Sequence, residues 1–153
     1  MNPNGNTYAN VLIRVNPASF EKRMNITGEI WLELDSFAYP SHSWWDFPVI
    51  VLSWWLDALP LLRSVGNAEF LFMDGPHAFE VGRRGSNVML RCLDDPRGEA
   101  QCVRETVVNV NDLSSQITNA ASIVVRECRE RGWLTADTRA LESKLSAFVS
   151  QSA

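Results

Sequence analysis

Residues Ser43 to Leu62 read SWWDFPVIVLSWWLDALPLL and hold four of the six tryptophans in the chain. Wound at about 100° per residue, Trp44, Trp45, Phe47, Ile50, Val51, Leu52, Trp54, Trp55, Leu56, Leu59 and Leu62 cover most of a helix circumference. Asp46, Ser53, Asp57 and Ser64 share one narrow polar stripe. A helix that is apolar nearly all round has to be covered on more than one side, by its own sheet and then by further helices or a partner. The stretch is therefore predicted to be a central core helix, alone or with an added docking face. Ser43 is placed to cap it, with Asp46 at the capping-box position, and Pro48 falls in the first turn, where a missing N–H does no harm. Pro60 is predicted to kink or end the helix, its ring lying toward the polar stripe.

Upstream, Tyr8 to Val15 and Ile26 to Asp35 read as two strands, and in the second Ile30, Leu32 and Leu34 alternate with Glu29, Trp31, Glu33 and Asp35. Phe37 to His42 reads as a loop. Downstream of Gly66 the period is again two: Glu69 to Met73, Ala78 to Arg83, Asn87 to Leu93 and Gln101 to Val110, joined by Gly- and Pro-containing turns, predict an antiparallel meander. Asn111 or Asp112 then caps a helix with an apolar stripe of Leu113, Ile117, Ala120, Ala121, Val124 and Cys128, stopped by Gly132. Thr135 begins a last helix carrying Leu141, Leu145 and Phe148 on one face. The predicted fold is α+β, a mostly antiparallel sheet of about six strands in the order ββ-α-ββββ-α-α, packed against the Trp-rich helix and a C-terminal helix pair.

A chain of 153 residues, 46% hydrophobic and 21% charged, matches one ordinary globular domain spanning 1–153, with 1–6 and 150–153 expected to be flexible. Its longest apolar run is broken by Ser53 and bounded by Pro48 and Asp57, too short to span a bilayer. The first residues, MNPNGNTYANVLIRVN, show neither a basic then apolar leader nor a cleavage site, which points to the cytoplasm. Three cysteines, an odd number, read as reduced and buried thiols, with Cys92 and Cys102 facing each other across a turn and Cys128 on a helix face. Charge is uneven: residues 1–80 carry nine acids and four bases, whereas 81–153 carry nine acids and ten bases. An acidic first half disfavours nucleic acid and favours a basic protein partner.

No catalytic, metal or cofactor motif stands out. His42 and His77 lie in loops without a second ligand at a metal spacing, and no nucleophile elbow or phosphate-cradling loop is present. Gly82-Arg83-Arg84-Gly85 reads as a hairpin end with solvated arginines that could also touch phosphate. Asp74-Gly75-Pro76-His77 reads as a chain reversal. Arg126, Arg129 and Arg131 are bases of the kind the helix dipole favours near a C-terminus.

In its order of strand, Trp-rich helix and meander, SWWDFPVIVLSWWLDALPLL followed by AEFLFMDGPHAFEV resembles the immunity proteins of bacterial polymorphic toxin systems, such as those of contact-dependent growth inhibition. The resemblance covers roughly residues 26–93. It implies a cytoplasmic protein without catalysis or cofactor that binds the C-terminal toxin domain of a cognate effector and neutralises it. No contact residue carries over by position. From the residues themselves, Glu33, Asp35, Asp57, Asp74 and Glu80 are the predicted partner-binding carboxylates, because they fall on strand faces, turns or the polar stripe and would steer a basic nuclease-type toxin. Two other readings stay open: an enzyme or small-ligand binder with a pocket beside the Trp-rich helix, and a homodimer that buries its tryptophans by symmetry.

Overall fold

The Trp-rich stretch divides at Phe47. In the computed structural model, which describes Gly5 and residues 7–152, helix α1 (Pro48–Ser64) starts at the proline, and Phe47 at its N-cap offers no side-chain bond. Ser43 does not cap it; its backbone is left-handed, with φ of 58°. Asp46 does not share the polar stripe, because it is fully buried before the helix begins. Trp45–Asp46 instead form a two-residue strand, β4, against Gly28 and Glu29. Pro60 does not end α1, which runs on for another turn. An interior proline costs about 3 kcal/mol, and here Val49, Leu52, Trp55, Leu56 and Leu59 are buried on the other sides of the same helix while Pro60 faces solvent.

Among the described residues eight strands form two four-stranded sheets in place of one sheet of about six. The first contains β1 (Val11–Lys22), β2 (Ile26–Leu34) and β3 (Phe37–Tyr39) in that order, with β4 also pairing with β2. The second is the meander β5 (Asn67–Leu71), β6 (His77–Arg84), β7 (Asn87–Asp94) and β8 (Gln101–Val107). All pairings are antiparallel. β3 and β4 have three and two residues, too few to show a period, so β3 reads as part of the Phe37–His42 loop and β4 as part of the Trp-rich helix. β1 runs on past Val15 to Lys22, and a register slip between Asn16 and Glu21 hides the alternation there.

Helix α2 (Val110–Glu130) buries Leu113, Ile117, Ala120, Ala121, Val124 and Cys128, the six residues of the predicted stripe. Its cap is Asn109, whose side chain accepts from the N–H groups of Asn111 and Asp112. Gly132, at φ 71°, closes it as predicted, with the Trp133 N–H reaching back to the Cys128 carbonyl at 2.8 Å. α3 (Ala136–Ser152) opens on a reciprocal cap between Thr135 and Thr138. Residues 1–4, 6 and 153, within the ends expected to be flexible, lie outside the described residues; Ser150 to Ser152 continue α3.

The helices explain why α1 needs so little polar surface. It packs on β5, β2, α2 and α3 together. α2 lies along β1 and covers that edge, where the Gln116 side chain accepts from the Ile13 N–H at 3.0 Å. Arg131, in the predicted basic cluster, donates to the carbonyls of Phe20 and Pro17 on β1 and stacks on Trp133. Among the described residues no helix is long and apolar enough to cross a membrane.

Candidate functional site

The solvent stripe of α1 keeps Asp57 and Ser64 of the predicted one and has Trp54 and Leu61 where Ser53 was expected. Ser53 is buried, and Trp54, Asp57, Leu61 and Ser64 are exposed. Trp54 therefore stands 38% exposed in the N-terminal half of α1. Trp45, 42% exposed on β4, and Met73, 43% exposed after β5, belong to the segments tied together just ahead of the helix. Exposed aromatic and thioether groups on a fixed frame are the side chains most enriched in protein interfaces.

The frame is held by Asp46. Its Oδ1 accepts from the N–H groups of Phe47 (2.7 Å) and Met73 (3.3 Å), and its Oδ2 from the indole of Trp44 (2.9 Å) and the N–H of Asp74 (3.1 Å). One carboxylate so joins the start of α1 to the β5–β6 turn. Burial raises its pKa above the ordinary aspartate value, and the four N–H donors oppose that shift.

Beneath Trp44 lies a second polar join. His77 Nδ1 is 2.8 Å from Asp94 Oδ1, and the Tyr39 hydroxyl is 2.9 Å from the same oxygen and 2.6 Å from the Leu93 carbonyl. Burial, reinforced by Asp94, pushes the Tyr39 phenol far up, so it stays a donor at every working pH. The rings of Trp44 and Tyr39 meet the His77 ring edge-on at 5.1 and 5.8 Å. A side chain added at Gly75 would come within 3.0–3.3 Å of the His77 ring, and the backbone there is left-handed at φ 73°, so only glycine fits the turn. This network joins β3, β6 and β7 under the Asp74–His77 reversal and fixes its position. Trp54, Met73, Pro76, His77, Pro96 and Arg97 line a recess of about 290 Å³ beside it.

The five predicted carboxylates do not converge. Asp74, exposed, follows Met73, and Asp57, exposed one turn after Trp54, pairs with Lys144 at 2.8 Å. These two flank the aromatic edge. Glu33 is held by Arg14 and by the Trp31 indole, and Asp35, in the β2–β3 turn, accepts from the Asn10 N–H. Glu80 pairs with Arg91 on the outer face of the second sheet, whose inner face, carrying Phe70 and Phe79, meets Trp55 of α1. It therefore lies across the sheet from Asp57. The recess adds one acid that sequence reasoning passed over, Asp95.

The thiols differ from one another. Cys92 and Cys128 are buried as expected, but Cys102 is exposed, because the irregular β7–β8 register sets Cys102 opposite Leu93 and Cys92 opposite Arg104. Burial pushes the Cys92 thiol up to about 12 and that of Cys128 up to about 11. Both stay protonated and unreactive near neutral pH. A thiol titration of the native protein with an aromatic disulfide reagent is expected to label Cys102 quickly and the others only on unfolding; fast labelling of the folded Cys102→Ser variant would contradict this.

Among the described residues no three His, Cys, Asp or Glu side chains are grouped to hold a metal. The chain matches no protein family model, no curated protein sequence and no solved structure. The site stands on its own geometry. Sequence reasoning placed Trp45 and Trp54 on a core helix with or without a docking face, and Met73 at the end of a strand; the spacing 54, 57, 61, 64 was a signal available for the exposed stripe, but it emerges only once the helix start is placed at Pro48.

Proposed function

We propose that this chain is a cytoplasmic immunity protein, which binds the C-terminal toxin domain of a cognate effector and neutralises it without catalysis. One observation carries the reading: Trp54 and Met73 stand exposed around one recess, Trp45 is exposed next to Asp46, and Asp46 ties the start of α1 to the Met73–Asp74 turn, with Asp57 one turn from Trp54 and Asp74 next to Met73. An apolar centre with a charged rim is the anatomy of a protein-binding surface, and a rigid frame limits the ordering entropy lost on association. The acidic rim suits a basic partner such as a nuclease, whose substrate cleft it would approach quickly.

Binding to the purified toxin domain tests this. The triple variant Trp45→Ala, Trp54→Ala, Met73→Ala is expected to weaken the complex by about 100-fold while keeping the wild-type circular dichroism spectrum. Asp57→Lys with Asp74→Lys should lower the association rate and flatten its salt dependence. Wild-type affinity in the folded triple variant would remove the aromatic edge from the reading. A stable wild-type dimer that the same substitutions dissolve would assign that edge to a second copy of the chain.

A further inference from the structure

At the other end of α1, the hairpin end Gly82-Arg83-Arg84-Gly85 borders a cavity of about 320 Å³ between the last turn of α1, the start of α2, the end of α3 and the β6–β7 hairpin. Its walls are partly apolar, with Leu59, Leu62 and Val88 among them, and two guanidinium side chains, Arg63 and Arg83, also line it. The register shows why Arg83 is there. Phe79 and Val81 point toward the core from β6, and Arg83, two residues further along, projects from the same face opposite Val88. A strand position that continues an apolar row thus carries a cation. Among the described residues no carboxylate forms an ion pair with Arg63 or Arg83. The α2 N-terminus adds no free donors at Asn111 and Asp112, because Asn109 already caps them.

We propose that this cavity binds a small amphipathic anion, its carboxylate or phosphate head held by Arg63 and Arg83 and its hydrocarbon body against Leu59, Leu62 and Val88. The volume is that of a small-molecule site, and guanidinium groups are the side chains best suited to a planar carboxylate or a phosphate. The proposal does not depend on toxin binding, since the aromatic edge shares none of these residues.

Calorimetric titration of the whole chain with octanoate, octyl phosphate and the neutral octanamide tests it. At least one anion is expected to bind saturably at a single site, with a dissociation constant of about 1 mM or tighter. Octanamide should bind at least about tenfold more weakly, and Arg63→Gln with Arg83→Gln should bring the anion down to the amide's level. Preference for octanoate or for octyl phosphate identifies the head group. Backbone amide shifts on titration should centre on Gly66, Arg83 and Ser114. No saturable binding of either anion, equal binding of octanamide, undiminished binding in the double variant, or shifts centred elsewhere would each overturn the proposal.

Discussion

Trp55→Ala is expected to lower the free energy of unfolding by about 4 kcal/mol. Trp55 is fully buried, its indole N–H donates to the Leu71 carbonyl at 2.8 Å, and its ring meets those of Phe72 and Phe79 edge-on at 5.3 and 5.2 Å. Truncation removes a large apolar surface, opens a cavity between α1 and the second sheet, and leaves a carbonyl unpaired. Domains of this size hold only about 5–15 kcal/mol in total, so the variant should be marginal at 37 °C. Trp55→Phe keeps much of the ring packing and should lose about 2 kcal/mol, chiefly through the unpaired carbonyl and the smaller ring. Urea denaturation followed by circular dichroism measures both; a loss below about 1 kcal/mol for Trp55→Ala would mean that α1 does not rest on the meander through this side chain.

Asp46→Ala should follow closely, at about 3–4 kcal/mol, since it strips partners from four N–H groups around a buried position. Asp46→Asn separates those bonds. Its amide oxygen can still serve Phe47 and Met73, while its NH₂ group faces the Trp44 indole and the Asp74 N–H, donor against donor, so about half the loss is expected. The pH dependence has a definite sign. A carboxyl whose folded pKa lies above its unfolded value contributes its full stability below the unfolded pKa and loses it as pH rises through the folded one. The advantage of wild type over Asp46→Asn should therefore grow on acidification from neutral pH into the aspartate range. An advantage that shrinks there would mean that the four donors outweigh desolvation.

What the sequence made legible follows from how many residues carry each signal. α2 has a six-residue apolar stripe closed by Gly132, and its buried face was readable without coordinates. The meander was equally plain, because each of its strands spans at least five residues between turn residues. The start of α1 was not, because Asp46 looks like a capping carboxylate and acts instead as a long-range clamp on Met73 and Asp74, twenty-seven and twenty-eight positions away. Local pattern cannot distinguish a carboxylate that caps its own helix from one that reaches another turn. The same holds for the acids: Glu80 and Asp57 look alike in sequence, and only the pairing of β6 with β7 places Glu80 beside Arg91 on the face turned away from α1.

The proposed protection of a cell by toxin binding is measured directly by growth. Cells induced for a cognate toxin domain should stop growing, and co-expression of the wild-type chain should restore growth and yield a stoichiometric complex. The Trp45→Ala, Trp54→Ala, Met73→Ala variant should be folded and fail to protect. Growth arrest that persists despite abundant, folded wild-type chain would contradict the account.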